Sequence, residues 1–140
     1  MRIKVMYQSQ TGNTRKVAEA IARVAGCTAE PVGTATVSEP VDVLFLGAAI
    51  HGGHIEGSVK KFIEGLDPIL VKKVTVFSTG FEEASRKAVG IMKDLLTRRG
   101  VQVTSECYVC RGKYLFINRI HPDAGDLAGA EEYARSVLAT

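Results

Sequence analysis

The stretch Tyr7-Gln8-Ser9-Gln10-Thr11-Gly12-Asn13-Thr14 joins an apolar segment to a segment with helical periodicity. Residues 3–7 predict a strand, and the apolar spacing after the stretch predicts a helix that ends at Gly26. The loop between these elements carries hydroxyl and amide side chains around Gly12 and no charged side chain. Backbone N–H groups at a helix start, together with the positive end of the helix dipole, form a binding site for an anion. The stretch therefore predicts a phosphate-binding loop, although the same residue types also cap helices that bind no ligand.

The rest of the chain repeats this alternation of a short apolar strand and an amphipathic helix. Further strands are predicted at residues 27–32, 41–47, 74–78 and 101–109, with a polar connection at 33–40. Helical spacing recurs in three groups of apolar residues: Val59, Phe62, Ile63 and Leu66; Ala84, Ala88, Ile91 and Leu95; and Leu127, Ala130, Ala134 and Val137. Strands that alternate with helices imply a parallel sheet covered on both faces, because each parallel connection crosses over the sheet. We therefore expect an α/β fold, a three-layer sandwich whose ligands bind at the carboxyl ends of the strands.

Length and composition limit the class of protein. The chain has 140 residues, of which 46% are hydrophobic and 24% charged, so we expect one globular domain spanning residues 1–140. The net charge is only +3 and the basic residues are scattered, which argues against nucleic-acid binding. No apolar run approaches the roughly 18 residues that cross a bilayer. Three cysteines are too few for a secreted disulfide framework, so a cytoplasmic location is expected.

Several phosphate chemistries lack their essential residues in this sequence. It contains neither the G-x-x-x-x-G-K-[ST] loop of nucleoside-triphosphate enzymes nor the G-x-G-x-x-G dinucleotide fingerprint. Gln8-Ser9 and Gly47-Ala48 stand where a receiver-type signalling domain needs acidic residues. The first loop also has neither the Cys nor the Arg of a low-molecular-weight phosphatase. The loop therefore predicts binding of a phosphate group and not its cleavage.

The stretch from Tyr7 to Thr14 resembles the phosphate-loop signature of flavodoxins, [ST]-x-T-G-N-T. The likeness extends over essentially the whole chain and includes the Gly-rich loop after the third strand and the loop after the fourth. This resemblance implies a flavodoxin-like fold with a five-stranded parallel sheet of order 2-1-3-4-5, a bound FMN cofactor and one-electron transfer. It also implies protein partners: a flavodoxin or ferredoxin reductase, and a low-potential acceptor.

The resemblance assigns FMN to three loops. His51 stands where flavodoxins often have Trp or Tyr, and its positive charge near neutral pH would raise the reduction potential of the flavin. The Gly52-Gly53 peptide becomes the candidate to turn its carbonyl toward flavin N5 on reduction. Other interpretations stay open: a simple tight turn at Gly52-Gly53, solvated histidines at 51 and 54, and Phe81 as a hydrophobic staple over the next helix. The implied cofactor-binding residues are Ser9, Gln10, Thr11, Gly12, Asn13, Thr14, Ala49, Ile50, His51, Gly52, Gly53, Ser78, Thr79, Gly80 and Phe81.

No metal ligand or catalytic residue is predicted. Cys107 and Cys110 have C-x-x-C spacing, but residues i and i+3 of an extended strand point to opposite faces, and no second cysteine pair completes a site. We expect two structural thiols, with Cys110 closer to the flavin. The segment Cys110-Arg111-Gly112-Lys113, followed by His121-Pro122, is similar to a segment of some flavodoxin-like proteins and receives no role.

The leading hypothesis for function is an electron carrier with non-covalent FMN. Its net charge of +3 departs from the acidic charge that is usual for carriers of this family. One alternative is an FMN-dependent oxidoreductase of the protoporphyrinogen-oxidase or quinone-reductase type, which needs a pocket beside the flavin. Another is an interaction module that has lost FMN, and the intact Thr11-Gly12-Asn13-Thr14 segment argues against it.

Overall fold

The structure, a computed structural model, describes residues 1–33, 36–112 and 121–140. Within these residues the strands are β1 (Ile3–Tyr7), β2 (Ala29–Pro31), β3 (Val43–Gly47), β4 (Ile50–His51), β5 (His54–Ile55), β6 (Val74–Thr79) and β7 (Val103–Cys110). The helices are α1 (Asn13–Ala25), α2 (Gly57–Glu64), α3 (Glu82–Arg99) and α4 (Ala124–Leu138). A parallel sheet has the order β2-β1-β3-β6-β7, while β4 and β5 pair antiparallel with each other. Counted along the parallel sheet alone, this order is 2-1-3-4-5, so the predicted flavodoxin-like sheet is confirmed.

The two central strands are buried along their whole length. Every residue of β3 and β6 is buried, which explains why β3 is a continuous apolar run and why β6 carries only apolar residues, Ser and Thr. Gly47 at the end of β3 lies against the ring of Phe77 in β6, and a Cβ on Gly47 would be 2.1 Å from Phe77 Cε2. Only glycine allows the two strands to approach at this point.

Helices cover both faces of the sheet, as the three-layer prediction requires. On one face Ile63 of α2 and Met92 and Leu96 of α3 pack in a buried apolar cluster with strand residues. On the other face a second cluster includes Val17 and Ile21 of α1, with Ala134 and Val137 of α4. The carboxyl ends of the strands lie along one edge of the sheet, between the two helical layers. The loops that follow β1, β3 and β6 meet at this edge.

The structure differs from the sequence prediction mainly at the ends of strands. The second strand covers only Ala29–Pro31, and the third starts at Val43, because Val41 forms an isolated bridge with Val71. The last strand starts at Val103, since Val101 instead closes the end of α3 with an N–H bond to the Leu96 carbonyl. The β4–β5 hairpin was not predicted, because strands of two residues are too short to give an alternating pattern.

Candidate functional site

A cavity of about 540 Å³ lies at the carboxyl ends of β1, β3 and β6. All the predicted cofactor-binding residues line it except Gly12, Gly53 and Ser78. Ala84 and Gly112, which the sequence did not indicate, also line it. The structure therefore brings three predicted loops, distant in the chain, to one cavity. The residues around it are Ser9, Gln10, Thr11, Asn13, Thr14, Ala49, Ile50, His51, Gly52, Thr79, Gly80, Phe81, Ala84 and Gly112.

The loop from Ser9 to Thr14 is folded by its own side chains. Ser9 Oγ accepts a hydrogen bond from the Gly12 N–H at 3.0 Å, and Asn13 Nδ2 donates to Thr11 Oγ1 at 3.1 Å. Gly12 has φ 91°, a left-handed conformation, and a Cβ added there would meet no atom of another described residue within 4 Å. The loop thus leaves open space beside its backbone where a ligand atom fits.

The start of α1 is suited to an anion. Within the described residues 1–33, the first turn of α1 carries no acidic side chain, and no side chain caps the helix at Gly12. The first N–H groups of a helix have no partner inside the helix, and the dipole is positive at this end. The residues present therefore fit a phosphate group, as the sequence predicts.

Gly12 itself lines a neighbouring cavity of about 440 Å³, which shares Ser9 and Gln10 with the larger one. Gln8 lies in the wall of this second cavity, and its side-chain Nε2 donates to Glu56 just before α2. Glu56 also accepts a hydrogen bond from Ser58 Oγ at 2.7 Å. This network joins the first loop to the end of the β4–β5 hairpin.

The loop from Ser9 to Thr14 is also connected to the end of β6. The hydroxyl groups of Thr14 and Thr79 are 2.9 Å apart and buried. Ser78, the preceding residue in β6, is fully buried, and its Oγ has no hydrogen-bond partner among the described residues. Because neighbouring strand residues point to opposite faces, Thr79 lies at the cavity while Ser78 does not.

The Gly-rich segment after β3 forms a β-hairpin whose turn consists of two residues. Ile50 pairs with Ile55 and His51 with His54, and the turn residues Gly52 and Gly53 have φ 58° and 81°. Positive φ at both turn residues is the requirement of a type I′ turn, which explains the two glycines. The tight-turn interpretation is therefore confirmed, and a role of this turn in flavin chemistry stays a prediction.

The two histidines of the hairpin have different surroundings. His51 lines the large cavity, and its Nε2 is buried with no hydrogen-bond partner among the described residues. His54 is exposed and does not line the cavity. The His51 ring therefore forms part of the cavity wall, but its buried Nε2 is not open to a ligand in the cavity.

The loop after β6 supplies a glycine and an aromatic side chain to the cavity. Gly80 has φ 131°, and its N–H donates to the Cys110 carbonyl at 3.0 Å. That N–H is therefore already bonded to the end of β7. Phe81 is 47% exposed at the start of α3, so its ring lies at the surface and not in the core.

A third cavity, of about 400 Å³, shares Gly80 with the cavity of about 540 Å³. Cys110 lines this smaller cavity, and burial, followed by nearby Asp126 and Asp123, raises the pKa of its thiol to about 12. Cys107 is exposed, and all three cysteines of the chain are free. Lys113 of the similar segment lies outside the described residues.

His121, Asp123 and Asp126 form a cluster beside this cavity, with ligand-type atoms within 4.8 Å of one another. Asp123 and Asp126 form a capping box at the start of α4, each accepting the other's backbone N–H at 2.9 Å. His121 Nδ1 bonds Asp126 Oδ2. Burial acts to raise the pKa of Asp126, but the bonds from His121 and the Asp123 N–H outweigh it and lower the pKa. The capping box at the start of α4 and the bond from His121 therefore explain why these three side chains lie close together.

The strand order and the cavity at the switch between β1 and β3 define the flavodoxin-like class of α/β folds. Solved structures agree: oxidised flavodoxin 1 from Bacillus cereus superposes with a TM-score of 0.78 at 20% identity, over 99% of this chain and 98% of that one. A flavodoxin from the domain Archaea gives a TM-score of 0.77 at 16% identity, over 98% and 96% of the two chains. At such identities the likeness concerns the fold alone.

The sequence comparison is more specific. The family model described as Flavodoxin domain matches residues 4–119, so this chain belongs to the flavodoxin domain family. An uncharacterised protein from Methanocaldococcus jannaschii is 26% identical over 150 residues, which cover 99% of each chain. None of the helices in the described residues is both long and apolar enough to span a membrane.

Proposed function

We propose that this protein binds FMN non-covalently and carries electrons one at a time between a reductase and a low-potential acceptor. The observation that carries the proposal is the uncharged loop from Ser9 to Thr14 at the start of α1, opening on a cavity walled by the hairpin and by the β6 loop. A phosphate would be held by N–H groups and hydroxyls of this loop, with Gly12 providing the space. Membership of the flavodoxin domain family supports the same cofactor.

The remaining walls suit a flat, partly polar ring system. Ile50, Ala49 and Phe81 provide apolar surface, and the His51 ring also forms part of the wall. When bound, FMN would supply the redox chemistry, and the protein would position it and set its electrostatic surroundings. A protonated His51 would favour added negative charge in the cavity, whereas neutral His51 would not.

Among the described residues, the acidic side chains near the cavity are too few, and too well paired, to form a strong docking surface for a protein partner. Glu82 and Glu83 are exposed at its edge, but Arg86 pairs with Glu82 at 3.3 Å. Surface pairs of this kind reduce the field that steers a partner. We infer protein partners from the proposed carrier role, and a cytoplasmic location from the three free cysteines.

A second candidate function is an FMN-dependent oxidoreductase that acts on a small molecule such as a quinone or a porphyrinogen. The cavity of about 400 Å³ that shares Gly80 with the larger cavity favours it, since such an enzyme needs room beside the flavin. In its wall lie Arg111, His121 and Asp126, which are polar groups that orient a substrate.

The experiment that separates the two candidates is reduction and turnover of FMN-loaded protein. A carrier requires a reductase protein for rapid reduction by a reduced nicotinamide cofactor, and shows no steady-state turnover of a quinone or porphyrinogen alone. Turnover of either small molecule without a second protein would overturn the carrier proposal in favour of the enzyme. Failure of the protein to bind FMN would overturn both.

A further inference from the structure

The described start of the loop after β7 touches the phosphate-binding loop. Gly112 is buried and lines the large cavity. A Cβ placed on Gly112 would lie 2.8 Å from Asn13 Nδ2, 3.1 Å from Asn13 Cγ and 3.2 Å from Asn13 Cβ. Carbon atoms at optimal contact are about 3.5–4.0 Å apart. The Asn13 side chain therefore occupies the space that any other residue at position 112 would need.

Asn13 is held from its other side by its own loop. Its Nδ2 donates to Thr11 Oγ1 at 3.1 Å. Asn13 is also the first residue of α1 and directly follows Gly12, whose φ is 91°. A displacement of the Asn13 side chain would consequently disturb the hydrogen bond to Thr11 and the backbone at the proposed phosphate site.

The surrounding contacts prevent the loop from simply moving away. Thr14 is fixed to Thr79 at the end of β6 by the buried hydroxyl contact of 2.9 Å. Gly80, the next residue, donates its N–H to the carbonyl of Cys110 at 3.0 Å. Cys110 leads through Arg111 to Gly112, so the contacts form a closed ring that returns to Asn13. Extra volume at position 112 must be absorbed inside this ring.

We propose that Gly112 is a positioning residue for phosphate recognition, because it leaves the space in which Asn13 holds the loop from Ser9 to Thr14 in its binding conformation. The inference rests on the proposed FMN function and extends it to a residue outside the three predicted loops. Gly112 acts through Asn13 and determines how strongly the protein prefers FMN to riboflavin, which has the same ring and no phosphate.

The test is fluorescence titration of the full chain with FMN and with riboflavin. We expect Gly112→Ala to weaken FMN binding by at least about tenfold and riboflavin binding by less than about threefold, since one charge-assisted hydrogen bond accounts for a tenfold change. Gly90→Ala is the matched control: Gly90 is exposed in α3, and its added Cβ meets no atom within 4 Å. This control should leave both affinities unchanged.

The Asn13→Ala variant shows whether the effect passes through Asn13. It removes the two atoms nearest to the added methyl group, so Gly112→Ala in this background should change FMN affinity by less than about threefold. This comparison also decides the matter if Gly112→Ala alone does not fold, because the doubly substituted protein loses the two closest contacts and keeps only the one with the Cβ of residue 13 at 3.2 Å. An undiminished Gly112 effect in the Asn13→Ala background would overturn the inference.

A merely structural role for Gly112 would weaken both ligands alike and leave their ratio unchanged, which would also overturn the inference. The same holds for a Gly112→Ala variant that binds both flavins like the unaltered protein. Failure of the inference and failure of the proposed function are distinguishable. The first leaves FMN binding by the unaltered protein intact, whereas the second abolishes it and removes the inference as well.

Discussion

Replacing Gly12 by Val tests the phosphate-binding loop, because the new side chain would occupy the space proposed for the ligand. Gly12 has φ 91°, and an added Cβ comes within 4 Å of no atom in the part of the chain that the structure describes, so no clash with that part is expected. The substitution instead strains the backbone, because an L-residue in the left-handed conformation costs about 1–2 kcal/mol. We therefore expect a lower free energy of unfolding. A phosphate beside the loop would meet the two methyl groups of Val.

These two effects can be separated by the choice of ligand. Backbone strain acts on FMN and riboflavin binding alike, whereas steric exclusion of the phosphate acts on FMN alone. A hydrogen bond to a charged group contributes about 1.5–3 kcal/mol, so loss of one such bond reduces affinity about 10- to 100-fold. We expect FMN affinity to fall by that factor relative to riboflavin affinity.

The assay is flavin fluorescence quenching, with thermal unfolding of the protein alone as a measure of strain. Gly26→Val is a matched control at the other end of α1: Gly26 has φ 73°, and its added Cβ also meets no atom within 4 Å. It should lower stability by a similar amount and leave the FMN-to-riboflavin ratio unchanged. Equal losses of the two ligands in Gly12→Val would refute the assignment of the phosphate to this loop.

Three more predictions follow from particular contacts. His51→Tyr should lower the reduction potential of bound FMN, because Tyr cannot carry the positive charge that would stabilise reduced flavin, and equal potentials of variant and unaltered protein would exclude His51 from the site. Thr14→Val and Thr79→Val should each cost about 1–3 kcal/mol in denaturant unfolding by leaving the other buried hydroxyl without its partner at 2.9 Å, while the double variant should cost clearly less than their sum; simple additivity would contradict this pairing. Burial raises the pKa of Tyr133, so the unaltered protein should lose stability as the pH rises above the unfolded value of about 10, and Tyr133→Phe should lose it less steeply; equal alkaline slopes would disagree with that burial.

The core of the sheet could be predicted from the sequence because burial leaves a simple pattern. Residues 43–47 and 74–79 are continuous apolar or small segments, and the structure buries all of them in β3 and β6. The order of the strands was not contained in this pattern and came from the resemblance to flavodoxins. The loops of the cavity followed from a topological rule, since ligands bind at the carboxyl ends of parallel strands.

The features of the site that the sequence does not predict depend on contacts between residues that are distant in the chain. Gly112 adjoins Asn13, and Thr14 meets Thr79, but neither pair has a local signature in the sequence. The hairpin after β3 did carry a signal, the Gly-Gly pair of a type I′ turn, yet its strands are two residues long. Propensity and periodicity describe only residues that are neighbours along the chain. Contacts such as those of Gly112 with Asn13 and of Thr14 with Thr79 therefore become visible only in the folded structure.

We propose that the loop from Ser9 to Thr14 holds the phosphate of FMN in the cavity beside it. The most direct measurement is titration of the purified, flavin-free protein with FMN, followed by its visible spectrum during stepwise reduction. We expect saturation at one FMN per chain, with quenched flavin fluorescence and a perturbed flavin spectrum. A protein that leaves FMN fluorescence and absorption unchanged at large excess would contradict it.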